Sequence, residues 1–217
     1  MSRRPPFSDS PSPSQEHRQP AAPRPSAGVA LLLLAIAAGG CSYSSPYMRP
    51  SQAGYPMAPA DAAQVVFVRP SAMGFALGVT LLDGSGRFLG DLPAESHFAV
   101  AVPPGQHLFF AWAENTAAIR ADLAPGRTYF VEVSPRPGFL SMRIQLLALT
   151  PRHPKWRERG AWIRETQHLI ADRTAGQAEM NRRAEDRAER LRRAREILRK
   201  YDPTELAERT LTPDDGV

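Results

Sequence analysis

This chain of 217 residues has a single cysteine, Cys41, and so can close no disulfide within itself. It also lacks an uncharged apolar run of the roughly 20 residues that a permanent membrane helix needs. The longest, Ala27-Gly-Val-Ala-Leu-Leu-Leu-Leu-Ala-Ile-Ala-Ala-Gly-Gly40, stops at 14. His97, His107, His153 and His168 have none of the short spacings of a zinc site, so no metal is expected. Gly84-Ser85-Gly86 is not the Gly-x-Ser-x-Gly elbow of a serine hydrolase, because it lies between two strand patterns. A dominant charge is missing too. The net charge of +5 falls to +3 once residues 1–40 are set aside, since they hold Arg3, Arg4, Arg18 and Arg24 against Asp9 and Glu16. Three net charges spread over both signs make no nucleic-acid footprint, and no nucleic-acid partner is expected.

What is present begins with an address. Residues 1–26 are rich in Pro, Ser and Arg and cannot bury a core. The 14-residue apolar run behind them has the length of a signal-peptide apolar region, with the arginines on its cytoplasmic side. A buried core helix would be the alternative, but neither flank is amphipathic and the run ends in Gly39-Gly40. Ala38-Gly39-Gly40-Cys41 resembles the lipobox of bacterial lipoproteins, departing from it at Ala38, where that family usually has Leu. The resemblance implies that residues 1–40 are a removed signal peptide. It also implies lipidation of Cys41 with a diacylglyceryl group and acylation, palmitate being the expected fatty acid. A lone cysteine in an exported protein is then explained, and two or three acyl chains, at about 0.8 kcal/mol per buried methylene, hold a protein firmly on a membrane. Ser42 is not the Asp that resembles an inner-membrane retention signal. Residence in the outer membrane, facing the periplasm, is therefore expected.

Residues 41–62 read as a flexible tether of Ser, Pro, Gly and Tyr without periodicity. From 63 to 150 the pattern becomes short strands, at 65–69, 75–82, 87–92, 97–102, 107–113, 119–123, 128–133 and 142–149. Asp83-Gly84-Ser85-Gly86 is a hairpin turn, while Pro103-Pro104-Gly105 and Ala124-Pro125-Gly126 place Pro then Gly as a type II turn requires. Phe98, Val100 and Val102 share a face, as do Ile119, Ala121 and Leu123, and Tyr129, Val131 and Val133. Eight strands with no helix between them predict a small antiparallel β-sandwich, in a mainly β chain with a C-terminal α part. Its own core and turns lead us to expect that it folds without the remainder.

The runs Val66-Phe67-Val68-Arg69-Pro70, Gly90-Asp91-Leu92, Val102-Pro103-Pro104-Gly105-Gln106-His107 and Leu123-Ala124-Pro125-Gly126-Arg127-Thr128-Tyr129-Phe130-Val131, with Phe98, carry a second resemblance. They are similar to Domain of Unknown Function 2846, a small β-domain of predicted bacterial lipoproteins that is itself reminiscent of PEGA and transthyretin-like sandwiches. The likeness covers about 64–149 and rests on turn and core positions, so it implies a fold and an address rather than an activity.

Residues 151–217 predict two or three helices and a loose tail. Trp156, Ile163, Leu169 and Ile170 suit a helix over 155–172. The stretch 175–201 is richer in helix formers and carries the i,i+4 pairs Glu179/Arg183, Asp186/Arg190, Glu189/Arg193 and Glu196/Lys200. Asp202-Pro203-Thr204-Glu205 signals a further short helix. Met180, Ala184, Arg187, Leu191, Ala194, Leu198 and Tyr201 form a heptad-spaced seam, which either docks on the β-domain or forms a coiled coil.

No catalytic or cofactor-binding set emerges. Asp83, Asp91, Glu95, Glu114, Asp122 and Glu132 are scattered singly, and His107 reads as a turn-edge histidine bonded to backbone. The expected function is a non-enzymatic, membrane-anchored envelope lipoprotein that serves as an interaction or structural module. Its partner would be an envelope protein or peptidoglycan. The alternative is a cell-wall polymer binding module, or an accessory to an envelope enzyme, that stacks sugars on Phe109 or Trp112.

Overall fold

A computed structural model describes residues 43–139 and 141–217. The expected signal peptide 1–40, the lipidation site Cys41 and Ser42 lie outside the described residues.

Seven of the eight expected strands form near their expected bounds, and the one expected over 75–82 is confined to 80–83 because 75–79 belong to a turn and loop: β2 Ala63–Arg69, β3 Thr80–Asp83, β4 Phe88–Asp91, β5 Ser96–Val102, β6 Gly105–Trp112, β7 Thr116–Leu123, β8 Thr128–Pro137 and β9 Met142–Ala148. Gly105 and Gly126 take the positive φ of 105° and 70° that their turns require. Three further strands come from outside 63–150: β1 Met48–Pro50, β10 Gln167–Ala171 and β11 Thr210–Leu211. The helices are α1 Arg159–Glu165, α2 Arg173–Arg182, α3 Ala184–Lys200 and α4 Pro203–Ala207. The fold is thus a β-sandwich with a C-terminal helical part.

One sheet has six strands in the order β1-β10-β5-β2-β8-β9, the other five in the order β11-β7-β6-β3-β4. Both are mixed rather than purely antiparallel. β2 runs parallel to β8 (Gln64 beside Thr128), β10 to β5, and β11 to β7. Alternation reports which face a residue takes, not the direction of its neighbour. Parallel neighbours need crossovers, supplied here by chain passing through the opposite sheet and by the C-terminal region.

The burial of β2 explains the layering. All seven of its residues are removed from solvent. Val65 and Phe67 point between the sheets, into a core with Phe98, Phe109, Ile119, Tyr129 and Val131. Val66 and Val68 point the other way, beneath Trp156, Trp162 and Ile163 of α1 and the turn before it. The second sheet is likewise apolar on its outer face. Leu82, Phe88, Phe110, Trp112 and Ala118 pack under Met180, Leu191, Ala194 and Leu198. The heptad-spaced seam is therefore spent on the β-sheet, and the layers run helix, sheet, sheet, helix.

Four expectations outside those eight strands differ from the structure. The helix over 155–172 shortens to α1 because Thr166 turns extended and 167–171 becomes β10, with Leu169 buried and Ile170 exposed. The helix over 175–201 divides at Arg183 (φ −106°, ψ 37°), where the chain bends along the twisted sheet and the Arg183 guanidinium sits 4.0 Å from the centre of the Trp112 ring. Glu179 then pairs with Arg182, while Glu189/Arg193 and Glu196/Lys200 form as expected. The tail is not loose: Leu211 is buried beside β7, and Val217 exchanges backbone hydrogen bonds with Thr128 at 3.0 and 2.8 Å. Part of the tether is held as well, since Met48 pairs with Ala171 in an antiparallel ladder.

Gly176 is buried within α2, where an added Cβ would overlap the ring of Phe88. Glycine to alanine in an exposed helix stabilises by about 1 kcal/mol. Here Gly176→Ala is expected to destabilise by about 1–3 kcal/mol through overpacking, read as a lowered urea midpoint. A midpoint unchanged or raised would contradict this packing.

Candidate functional site

The first described residues are pinned to one end of the sandwich by Asp91. β4 places this carboxylate in the interior, where it accepts hydrogen bonds from Ser45 Oγ (2.6 Å), Thr80 Oγ1 (2.6 Å) and Tyr43 Oη (3.3 Å). Burial raises the Asp91 pKa, and the three hydroxyl donors oppose that rise by stabilising the anion. The Tyr43 phenol is pushed up to about 12 by its own burial and then by the Asp91 charge. Tyr43 N–H donates to the Phe75 carbonyl at 3.0 Å, and its ring lies flush on Gly78, where a Cβ would come within 2.8 Å.

Beside this clamp Arg69 ends β2 with a fully buried side chain. Its Nη1 donates to the carbonyls of Leu77 (2.8 Å) and Leu92 (3.2 Å), and its Nη2 to those of Met73 (3.0 Å) and Gly74 (2.6 Å). Four carbonyl dipoles replace a counter-ion, and burial lowers the guanidinium pKa. The planar fork thereby shapes the loop after β2, in which Met73 and Phe75 face solvent.

The second concentration of polar groups is a cleft of about 660 Å³ between residues 51–55, β5, β10 and the end of α1. The parallel register sets His97 beside His168, and their rings stack 5.0 Å apart at 14°. The Thr166 hydroxyl donates to the Trp162 carbonyl at 2.6 Å, so His97 Nδ1–H is the donor to Thr166 Oγ1 at 2.8 Å. His168 Nδ1–H donates to the Ala53 carbonyl in a close hydrogen bond. Burial and then the neighbouring His168 push the His97 pKa down to about 4. A ring so weakly basic is a poor general base near neutral pH, and the Thr166 hydroxyl is already committed. The pair joins β5 to β10. Glu95, at the rim, takes an unusual positive φ of 52°.

The remaining candidates have structural partners or open solvent. His107 Nε2–H donates to the Pro103 carbonyl at 2.7 Å, and His153 Nδ1 accepts from Lys155 N–H. Burial alone would raise the Asp83 pKa, but hydrogen bonds from Ser85 and Arg87 lower it, and Asp83 closes the β3–β4 turn. Glu132 is buried against Lys155 at 2.8 Å, whereas Glu114 and Asp122 are exposed. Phe109 faces the inter-sheet core and Trp112 lies under Arg183, so both are buried. Among the described residues no three His, Cys, Asp or Glu side chains group as metal ligands, and no helix is long and apolar enough to cross a membrane. Sequence reasoning missed the roles of Arg69 and Asp91; their only signal is a charge at the end of an otherwise apolar strand. No family model, curated protein or solved structure matches the chain.

His97 titrates near 6.5 when unfolded and near 4 when folded. Between those values the unfolded chain binds more protons, so stability falls as pH drops from 6.5 to 4, by up to about 2–3 kcal/mol. Asp91, with its raised pKa, acts in the opposite sense, because the folded state takes up its proton first. The contrast with His97→Gln isolates the histidine. That variant should show a flatter urea midpoint across this window, and an unchanged pH slope would refute the assignment.

Proposed function

We propose that the protein is a non-enzymatic lipoprotein of the bacterial envelope, held in the outer membrane by lipid on Cys41, with its sandwich serving as an interaction or structural module on the periplasmic side. The observation that carries this reading is the chain's single cysteine, standing directly after a 14-residue uncharged apolar run that ends in small residues. Support comes from the sandwich itself. The buried Asp91, Arg69 and His97 are spent on hydrogen bonds that tie elements of the fold together. The resemblance of 64–149 to the lipoprotein β-domain Domain of Unknown Function 2846 is part of the same proposal.

Cells fed labelled palmitate should incorporate it into the parent protein and not into Cys41→Ser. The amino-terminal peptide of the purified parent should begin at a lipid-modified Cys41. Palmitate retained by Cys41→Ser, or a purified parent that keeps residues 1–40, would overturn the proposal.

A further inference from the structure

The anchor end of the sandwich carries apolar side chains that the fold leaves uncovered. Phe139, at the tip of the β8–β9 hairpin, is 100% exposed, and Phe75 and Met73 are 53% and 48% exposed. The two loops lie side by side: a Cβ at Gly74 would sit 3.7 Å from Met142 Cε, and Met142 pairs with Pro137 at the end of that hairpin. Exposed Arg136 and Arg143 face each other across it. Residues 70–79 and 133–145 contain no Asp or Glu. Asp91 at this end is buried and fully engaged, while the exposed acids Glu114, on the β6–β7 turn whose Asn115 bonds Ile144, and Glu95 and Glu165, beside the paired starts of β5 and β10, belong to neighbouring turns rather than to these two loops. Large apolar tips with a pair of arginines on the same hairpin suit the boundary between acyl chains and anionic headgroups.

The position of the anchor singles out that occupant. Two peptide units separate Cys41 from Tyr43, so their Cα atoms are at most about 7 Å apart in any conformation. Tyr43 is itself fixed to this end, through Asp91, Gly78 and the Phe75 carbonyl. A lipid on Cys41 therefore brings the Phe75 backbone to the bilayer surface with almost no slack.

We infer that Met73, Phe75 and Phe139 form a membrane-inserting face, a second contact that sets the domain's orientation on the bilayer carrying the Cys41 lipid. This rests on the lipidation proposed above, and the test separates the two. The lipidated parent, purified in detergent, should have no reactive thiol, because its only cysteine is blocked. Phe139→Cys and Gln106→Cys then each offer one site for a nitrobenzoxadiazole label. Residue 106 is exposed at the start of β6, at the opposite end of the sheet from Trp112 and Thr116.

Both labelled proteins are reconstituted into vesicles of phosphatidylethanolamine and phosphatidylglycerol containing doxyl-labelled phosphatidylcholine. The label at 139 should shift to the blue and be quenched at least about twofold more than the label at 106. A blocked parent thiol with equal quenching at the two sites overturns the inserted face alone. A reactive parent thiol overturns the anchor, and the inserted face with it.

Discussion

A strand with both faces buried must be covered on both sides, and β2 imposes that condition on the whole molecule. Its alternate residues Val65/Phe67 and Val66/Val68 enter different cores, one between the sheets and one under α1. The second sheet repeats the condition with Phe88, Phe110 and Trp112 under α2 and α3. The helical region is accordingly a structural layer rather than an appendage, and the expectation that 63–150 folds without the remainder gives way to the opposite one. Leaving Val66, Val68, Leu82, Phe88, Phe110 and Trp112 bare would forfeit about 1.5–3 kcal/mol each, a sum comparable with the whole net stability of about 5–15 kcal/mol expected for a domain.

The same economy governs the ends of the described chain. β1 and β11 are short edge strands, each added beside a strand already in place, and Val217 closes back on Thr128. Edges covered in this way are poor templates for pairing with another chain. At the amino-terminal end, the Tyr43–Ser45–Asp91–Thr80 network removes most of the freedom that a Ser- and Pro-rich tether would otherwise have. A rigid connection transmits orientation, so under the proposed lipidation the position of Cys41 would bear on which surface of the sandwich meets a membrane.

The eight central strands were legible because alternation and Pro-Gly turns are local signals. The pairing β2–β8 was not, since parallel neighbours 64 residues apart share no local mark. β10 escaped because Leu169 and Ile170 suit a helical period as well as a strand, and β11 because two residues have no period at all. The break at Arg183 lies on a charged surface where helix propensity alone sees continuity. Cys41 could be read only from sequence. Conversely, the Arg69 knot and the Asp91 clamp depend on partners 4 to 48 residues away and became visible only in three dimensions.

The most direct test of the covering role is equilibrium unfolding of residues 43–217 beside residues 43–150, followed by circular dichroism. The longer chain should unfold in one cooperative transition. The shorter one, stripped of α1 to α4 and of the strands β10 and β11, should show no cooperative transition and should bind hydrophobic dye. A shorter chain with a sigmoidal transition at the same midpoint would contradict the claim that residues 151–217 complete the core.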